Sequence, residues 1–142
     1  MYDKILVLDF GSQYTQLIVK KLRKFNVYAE ILPYNATIKR IKKFNPQALI
    51  FSGGPSSVYL KNSPKINQKI FTLNLPVLGI CYGMHIIAKA FGGRIKRNLS
   101  SEYGNTELQV LKRTNLFKNC KKQFTVWMSH GDVVTELPDD FE

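Results

Sequence analysis

Pro76-Val77-Leu78-Gly79-Ile80-Cys81-Tyr82-Gly83-Met84-His85-Ile86-Ile87-Ala88-Lys89-Ala90-Phe91-Gly92-Gly93 is the stretch whose reading decides the fold. An apolar, strand-forming run ends at a cysteine with Gly79 and Gly83 two residues to either side, and Ile86, Ile87, Ala90 and Phe91 follow at helical spacing. Strand, sharp turn and helix around G-x-C-x-G make the layout of a nucleophile elbow, whose turn lifts the reactive side chain above a sheet. Such a turn presses backbone against backbone at the flanking positions, so they take glycine. A thiol at the positive end of a helix also loses its proton more readily. The competing interpretation of Cys81 is a small buried apolar residue, the usual state of a free cysteine.

Upstream, residues 4–10 (KILVLDF) are almost all apolar, which suits a strand covered on both faces of a parallel sheet. They end at Asp9-Phe10-Gly11-Ser12-Gln13, where Ser12 is placed to cap a helix with Tyr14, Leu17, Ile18, Leu22 and Phe25 on one side. Residues 27–32, closed by Pro33, read as a second strand and 48–51 as a third. Helices are predicted over 38–44 and 64–73, ahead of the strand 76–80. Strands alternating with helices over short connections give an α/β fold, a doubly wound, mostly parallel sheet flanked by helices. Ligands of such sheets sit beyond the carboxyl ends of the strands. Residues 9–13, residues 52–58 and Cys81 all fall there. The bare N–H groups of Ser52-Gly53-Gly54-Pro55 can hold an oxyanion or a phosphate, although a plain turn fits the same residues.

At 142 residues with 44% hydrophobic content, the chain is sized for one domain, 1–142, with its own core. Cys81 and Cys120, its two cysteines, form neither a metal-ligand spacing nor a disulfide framework, so no metal and a cytoplasmic location are expected. No basic-then-apolar leader opens the sequence and no apolar run approaches ~18 residues, so no membrane partner is expected. The net charge of +11 raises nucleic acid as a partner. Its lysines, however, fall in short clusters on separate predicted helices (Lys20, Lys21, Lys24; Lys39, Lys42, Lys43) without interleaved aromatic residues. They read as solvated helix faces, and no nucleic acid is expected.

After Gly93, residues 94–98, 107–111 and 123–128 look like short strands separated by loops at 100–104 and 114–122. Trp127-Met128-Ser129-His130-Gly131-Asp132 then leads from an apolar strand into a polar loop. A cysteine nucleophile wants a general base, which in turn wants an orienting group. The two histidines are His85, on a helix that leads away from the thiol, and His130, with Asp132 close by. His130 is the naive base, yet His-Gly-Asp reads equally as a binding loop. The residues alone lead to a thiol and a Gly-Gly oxyanion loop, with the base unassigned.

Four segments in order, Asp9-Phe10-Gly11-Ser12-Gln13-Tyr14, Ser52-Gly53-Gly54-Pro55, Gly79-Ile80-Cys81-Tyr82-Gly83-Met84 and Trp127-Met128-Ser129-His130-Gly131-Asp132, resemble the class I, triad-type, flavodoxin-like glutamine amidotransferases. Within that family they are similar to the amidotransferase domain of the GMP synthases, over essentially the whole chain. The resemblance implies that Cys81 attacks the side-chain amide of glutamine, giving a γ-glutamyl thioester and ammonia. It implies that the N–H groups of Gly54 and Tyr82, with Gly53 shaping the loop, stabilise the oxyanion. Ser129, His130, Gly131 and Asp132 would hold glutamine, largely through backbone, so that His130 is not the base. His85 stands where the family carries glutamine and is a further expected substrate contact, and Ser101 stands where arginine is common.

The family's catalytic histidine and glutamate belong to a later His-Pro-Glu motif that does not occur in these 142 residues. The chain is therefore expected to be a C-terminally incomplete amidotransferase domain with little activity of its own, lacking ATP-pyrophosphatase and dimerisation domains. The resemblance further implies no cofactor in this domain, and ATP and Mg for the synthetase domain that converts XMP to GMP. Glutamine and that synthetase domain are the expected partners, in a homodimeric full-length enzyme. Two rivals fit the same residues: another triad amidotransferase of the anthranilate synthase type, and a non-catalytic binding module on the same fold.

Overall fold

Short apolar runs build the centre of the molecule, and the computed structural model describes residues 3–112 and 114–142, without the side chains of 98–102 and 115. Strand β1 (Lys4–Asp9) leads to helix α1 (Thr15–Lys24), β2 (Tyr28–Pro33), α2 (Ile38–Phe44) and β3 (Ala48–Phe51). A 3-10 segment (Gln68–Leu73), β4 (Val77–Gly79), α3 (Tyr82–Ala90), β5 (Arg94–Gln109) and β6 (Gln123–Glu136) complete the order. The first four strands form one sheet in the order β2-β1-β3-β4, parallel throughout.

Strand alternation divides the core between the two faces of this sheet. Leu6, Leu8, Leu49 and Phe51 pack with Ile41 of α2, Ile70, and Tyr82 and Ile86 of α3. Val7, Ala29 and Ile50 pack with Val19 of α1 on the opposite face. Leu6, Val7 and Leu8 have no solvent exposure, which explains why β1 reads as a continuous apolar run. This is the expected doubly wound α/β sheet. The strand order reverses between β1 and β3, the point at which such sheets open a crevice for a ligand.

Two local expectations are corrected. The helix predicted over 64–73 is only the 3-10 segment Gln68–Leu73, capped by the Asn67 side chain, which accepts from the Lys69 N–H at 3.1 Å. The Pro64 carbonyl, ahead of that segment, accepts from the Tyr82 hydroxyl at 2.6 Å. Ser12 does not cap α1, which starts at Thr15 behind Tyr14; its Oγ accepts from the Tyr14 N–H at 3.0 Å and closes the turn before the helix.

The largest correction lies after Gly93. The three short strands are two long ones, β5 and β6, paired antiparallel as a two-stranded sheet with a register irregularity between Arg97 and Glu102. The loop expected at 100–104 lies inside β5, and the loop expected at Ser129–Asp132 lies inside β6. Ser129 pairs with Tyr103 and Asp132 with Arg97 across the ladder. Backbone pairing with a distant strand overrides the local turn preference of Ser-His-Gly-Asp.

Candidate active site

Cys81 sits where β4 gives way to α3, at φ +48° and ψ −110°, a conformation that a non-glycine residue adopts only under constraint. The constraint comes from both sides of the turn. A Cβ on Gly79 would lie 2.6 Å from the Met84 nitrogen, and one on Gly83 would lie 2.3 Å from the Phe51 carbonyl oxygen. The flanking glycines are thus demanded by close approach of backbone, as the elbow motif anticipates. The half-buried Cys81 stands at the N-terminal end of the nine-residue α3.

A second strand end supplies the facing loop. Beyond β3, the Ser52 hydroxyl accepts from the Phe10 N–H at 2.9 Å and donates to the Gly53 carbonyl at 2.9 Å, which ties the start of this loop to the end of β1. A Cβ on Gly53 would lie 3.6 Å from the Cys81 Cβ, so the loop runs alongside the nucleophile. At Gly54 a Cβ would meet the Phe10 carbonyl oxygen at 2.5 Å, which leaves glycine alone able to fit. No hydrogen bond from the Gly54 or Tyr82 backbone N–H to another protein group occurs among the described residues.

The third wall is β6. The Ser129 backbone N–H bonds the Cys81 sulfur and pulls its proton affinity down, but burial is the larger effect and leaves the thiol above its ordinary value of 9.0. No imidazole or carboxylate among the described residues lowers it. His85 is buried at 2% exposure, and its ring meets that of His130 edge to face at 5.5 Å. Burial first, then the His130 charge, lower the His85 pKa below 6.5 against an opposing pull from Asp132. The His85 Nε2 is buried and makes no hydrogen bond among the described residues. Asp132, 4% exposed, accepts from the Ser57 hydroxyl at 2.6 Å and the Val58 N–H at 3.1 Å, both through Oδ2.

All nine residues singled out from the sequence, Gly53, Gly54, Cys81, Tyr82, His85, Ser129, His130, Gly131 and Asp132, line one cavity of about 1030 Å³. Gly11, Ser12 and Gln13 from the end of β1 line it too. Tyr14, Tyr59, Leu60, Tyr103 and Trp127 ring it with side chains between 47% and 71% exposed, a rim that sequence reasoning did not assemble. Ser57 and Lys89 were also missed, because their contacts join segments far apart in the chain. The side chain of Ser101 lies outside the described residues. Among the described residues no group of His, Cys, Asp and Glu could hold a metal ion, and no helix is long and apolar enough to cross a membrane.

Residues 6–142 match the glutamine amidotransferase class-I family. The chain belongs to that family. This amidotransferase chain is 49% identical over 140 residues to the glutamine-hydrolyzing GMP synthase of Brachyspira hyodysenteriae and 50% identical to that of Bacillus cytotoxicus. Each match covers 99% of this chain and 27% of the relative, so the chain spans about a quarter of the length of these curated relatives. A Thermoplasma acidophilum protein described as one of the subunits of a GMP synthase superposes with a TM-score of 0.77 at 31% identity, over 99% of this chain and 70% of that one. A glutamine amidotransferase of Thermotoga maritima shares the fold, with a TM-score of 0.72 at 18% identity over 98% and 64% of the two chains.

Proposed function

We propose that this class-I amidotransferase domain hydrolyses glutamine as part of a GMP synthase, supplying the ammonia with which XMP becomes GMP. One observation carries the reading: Cys81, strained at φ +48° on the N-terminus of α3, faces the Gly53-Gly54 loop and the Ser129 N–H across a single cavity. The thiolate attacks the side-chain carbonyl carbon of glutamine, and a C–S bond forms as the carbonyl π electrons move onto oxygen. The N–H groups of Gly54 and Tyr82 donate to that oxyanion, an arrangement in which each fixed donor is worth about 10²–10³ in rate. Collapse expels the amide nitrogen, which leaves as ammonia after taking a proton, and water then cleaves the thioester to glutamate. Ser129, His130, Gly131 and His85 hold the substrate. The ring nitrogens of His85 can donate or accept toward the glutamine amide.

The general base in this reading is the histidine of a His-Pro-Glu motif in polypeptide beyond these 142 residues, because the Cys81 thiol has no base partner among the described ones. The synthetase region, using ATP and Mg, belongs to that same longer polypeptide, which works as a cytoplasmic homodimer. The share of the relatives' length that this chain occupies supports this division of labour. Glutamate release from L-glutamine by the longer polypeptide tests the proposal. Activity is expected there, and it should be lost in Cys81→Ala and lower by at least about a hundredfold in residues 1–142 alone. Glutaminase activity that survives Cys81→Ala would overturn it.

A further inference from the structure

The loop that carries Gly54 is anchored at its far end by residues that have no place in the chemistry above. Val58, 4% exposed, is held through both of its backbone polar groups. Its N–H donates to Asp132 Oδ2 at 3.1 Å, and its carbonyl accepts from Lys89 Nζ at 2.9 Å. The Ser57 hydroxyl donates to the same Asp132 oxygen at 2.6 Å, and the Lys89 ammonium lies 5.7 Å from the centre of the Tyr59 ring. At the near end the Ser52 hydroxyl fixes the loop to Phe10. The loop thus runs from an anchor on the sheet, where Gly54 also packs against Phe10, to a second anchor shared by α3 and β6.

The choice of elements gives this anchor a consequence. Lys89 is in the last turn of α3, the helix whose first turn places Cys81 and Tyr82. Eight residues at ~1.5 Å rise put Lys89 about 12 Å along the helix from Cys81, too far to touch a substrate bonded to sulfur. Asp132 lies three residues beyond Ser129, whose N–H bonds that sulfur, on the same strand. One rigid helix therefore fixes the Tyr82 donor and, through Lys89, the loop that presents Gly54. One strand fixes the thiol and, through Asp132, the same loop.

We infer that Lys89 and Asp132 are positioning residues which, by clamping Val58, set the Gly54 N–H against the Tyr82 N–H at the spacing of the oxyanion. The inference rests on the proposed glutaminase role of the cavity and gives the Asp132 side chain, whose Oδ2 accepts from Ser57 and Val58, the part of a loop anchor. A displacement of this kind acts on the reaction of a bound substrate and leaves substrate capture and the bare thiol unaltered.

The test compares two reagents at Cys81, the glutamine-shaped diazoketone 6-diazo-5-oxo-L-norleucine, which engages the carbonyl donors, and iodoacetamide, which needs only the thiolate. Lys89→Met and Asp132→Ala are expected to slow the saturating rate with the diazoketone about tenfold. In Lys89→Met half-saturation and the iodoacetamide rate should stay unchanged, and Lys89→Arg and Asp132→Asn should recover most of the loss. Variants that react like the parent with both reagents, or that slow equally with both, overturn the inference. Hydrogen exchange decides the matter independently of function: Lys89→Met should speed exchange of the Val58 amide, bonded to Asp132, about tenfold while the core of α3 keeps its protection. Unchanged exchange there removes the clamp. A parent protein that ignores the diazoketone counts against the glutaminase reading and leaves the exchange result to judge the clamp.

Discussion

Gly83→Ala separates the elbow from an ordinary helix glycine, because the two predict opposite signs. Gly83 lies in the first turn of α3, where alanine in place of glycine would by propensity alone stabilise the helix by about 1 kcal/mol. The added Cβ, however, would sit 2.3 Å from the Phe51 carbonyl oxygen, 2.7 Å from the Phe51 Cβ and 2.8 Å from the Phe51 carbon. Phe51 is fully buried and pairs with Leu8 on one side and Gly79 on the other, so it cannot withdraw. Helix α3 must instead lift away from β3 by roughly 1 Å, and overpacking of this kind costs about 3 kcal/mol. The net loss of about 2 kcal/mol, divided by a urea slope of about 2 kcal/mol/M, lowers the unfolding midpoint by roughly 1 M. Urea unfolding followed by circular dichroism measures it. A midpoint equal to or above that of the parent would refute the claim that backbone contact dictates this glycine. The same shift carries Cys81 with it, so its reaction with the diazoketone should slow even where the variant remains folded.

Three further outcomes follow from the site. Burial holds the Cys81 thiol above 9.0, so its alkylation by iodoacetamide should rise with pH to a midpoint beyond that value; mass spectrometry of the Cys81 peptide across pH reads it, and a midpoint below 9.0 contradicts it. For His85 the folded pKa lies below 6.5, so under that pH the unfolded chain binds more protons and stability falls with acidification. The loss in urea midpoint between pH 7.5 and 5.5 should therefore shrink in His85→Gln, and an identical loss in both proteins rejects the assignment. Asp132→Ala leaves the Ser57 hydroxyl and the buried Val58 N–H without their acceptor, a cost of about 2 kcal/mol and roughly 5 °C in melting temperature. A thermal melt unchanged within about 1 °C contradicts it.

The parallel sheet was legible because its central strands are short apolar runs between turn residues, and the elbow because Gly79, Cys81 and Gly83 meet a steric demand that no other spacing satisfies. Residues 9–14, residues 52–58 and Cys81 converge because they follow the carboxyl ends of parallel strands, a property of topology that alternation of elements already implies, whereas Ser129–Asp132 comes from β6 of the separate two-stranded sheet. What stayed hidden depended on partners distant in sequence. Ser129–Asp132 carries turn-forming residues, and only pairing with Arg97, Glu102 and Tyr103 makes it strand. The bond from the Tyr82 hydroxyl to the Pro64 carbonyl joins residues 18 apart and has no local signature. The bonds from Ser57 and Val58, some 75 residues away, to the Asp132 carboxylate leave no trace in the local sequence. The desolvation that raises the Cys81 thiol is a quantity no local pattern reports.

The central claim is that Cys81 is the nucleophile of a glutamine-shaped cavity, and the most direct measurement is peptide mapping by mass spectrometry after treatment with 6-diazo-5-oxo-L-norleucine. One adduct per chain is expected at Cys81 and none at Cys120, with loss of the adduct when L-glutamine is present in excess. Equal labelling of the two cysteines, or labelling of Cys81 that glutamine does not prevent, would contradict it.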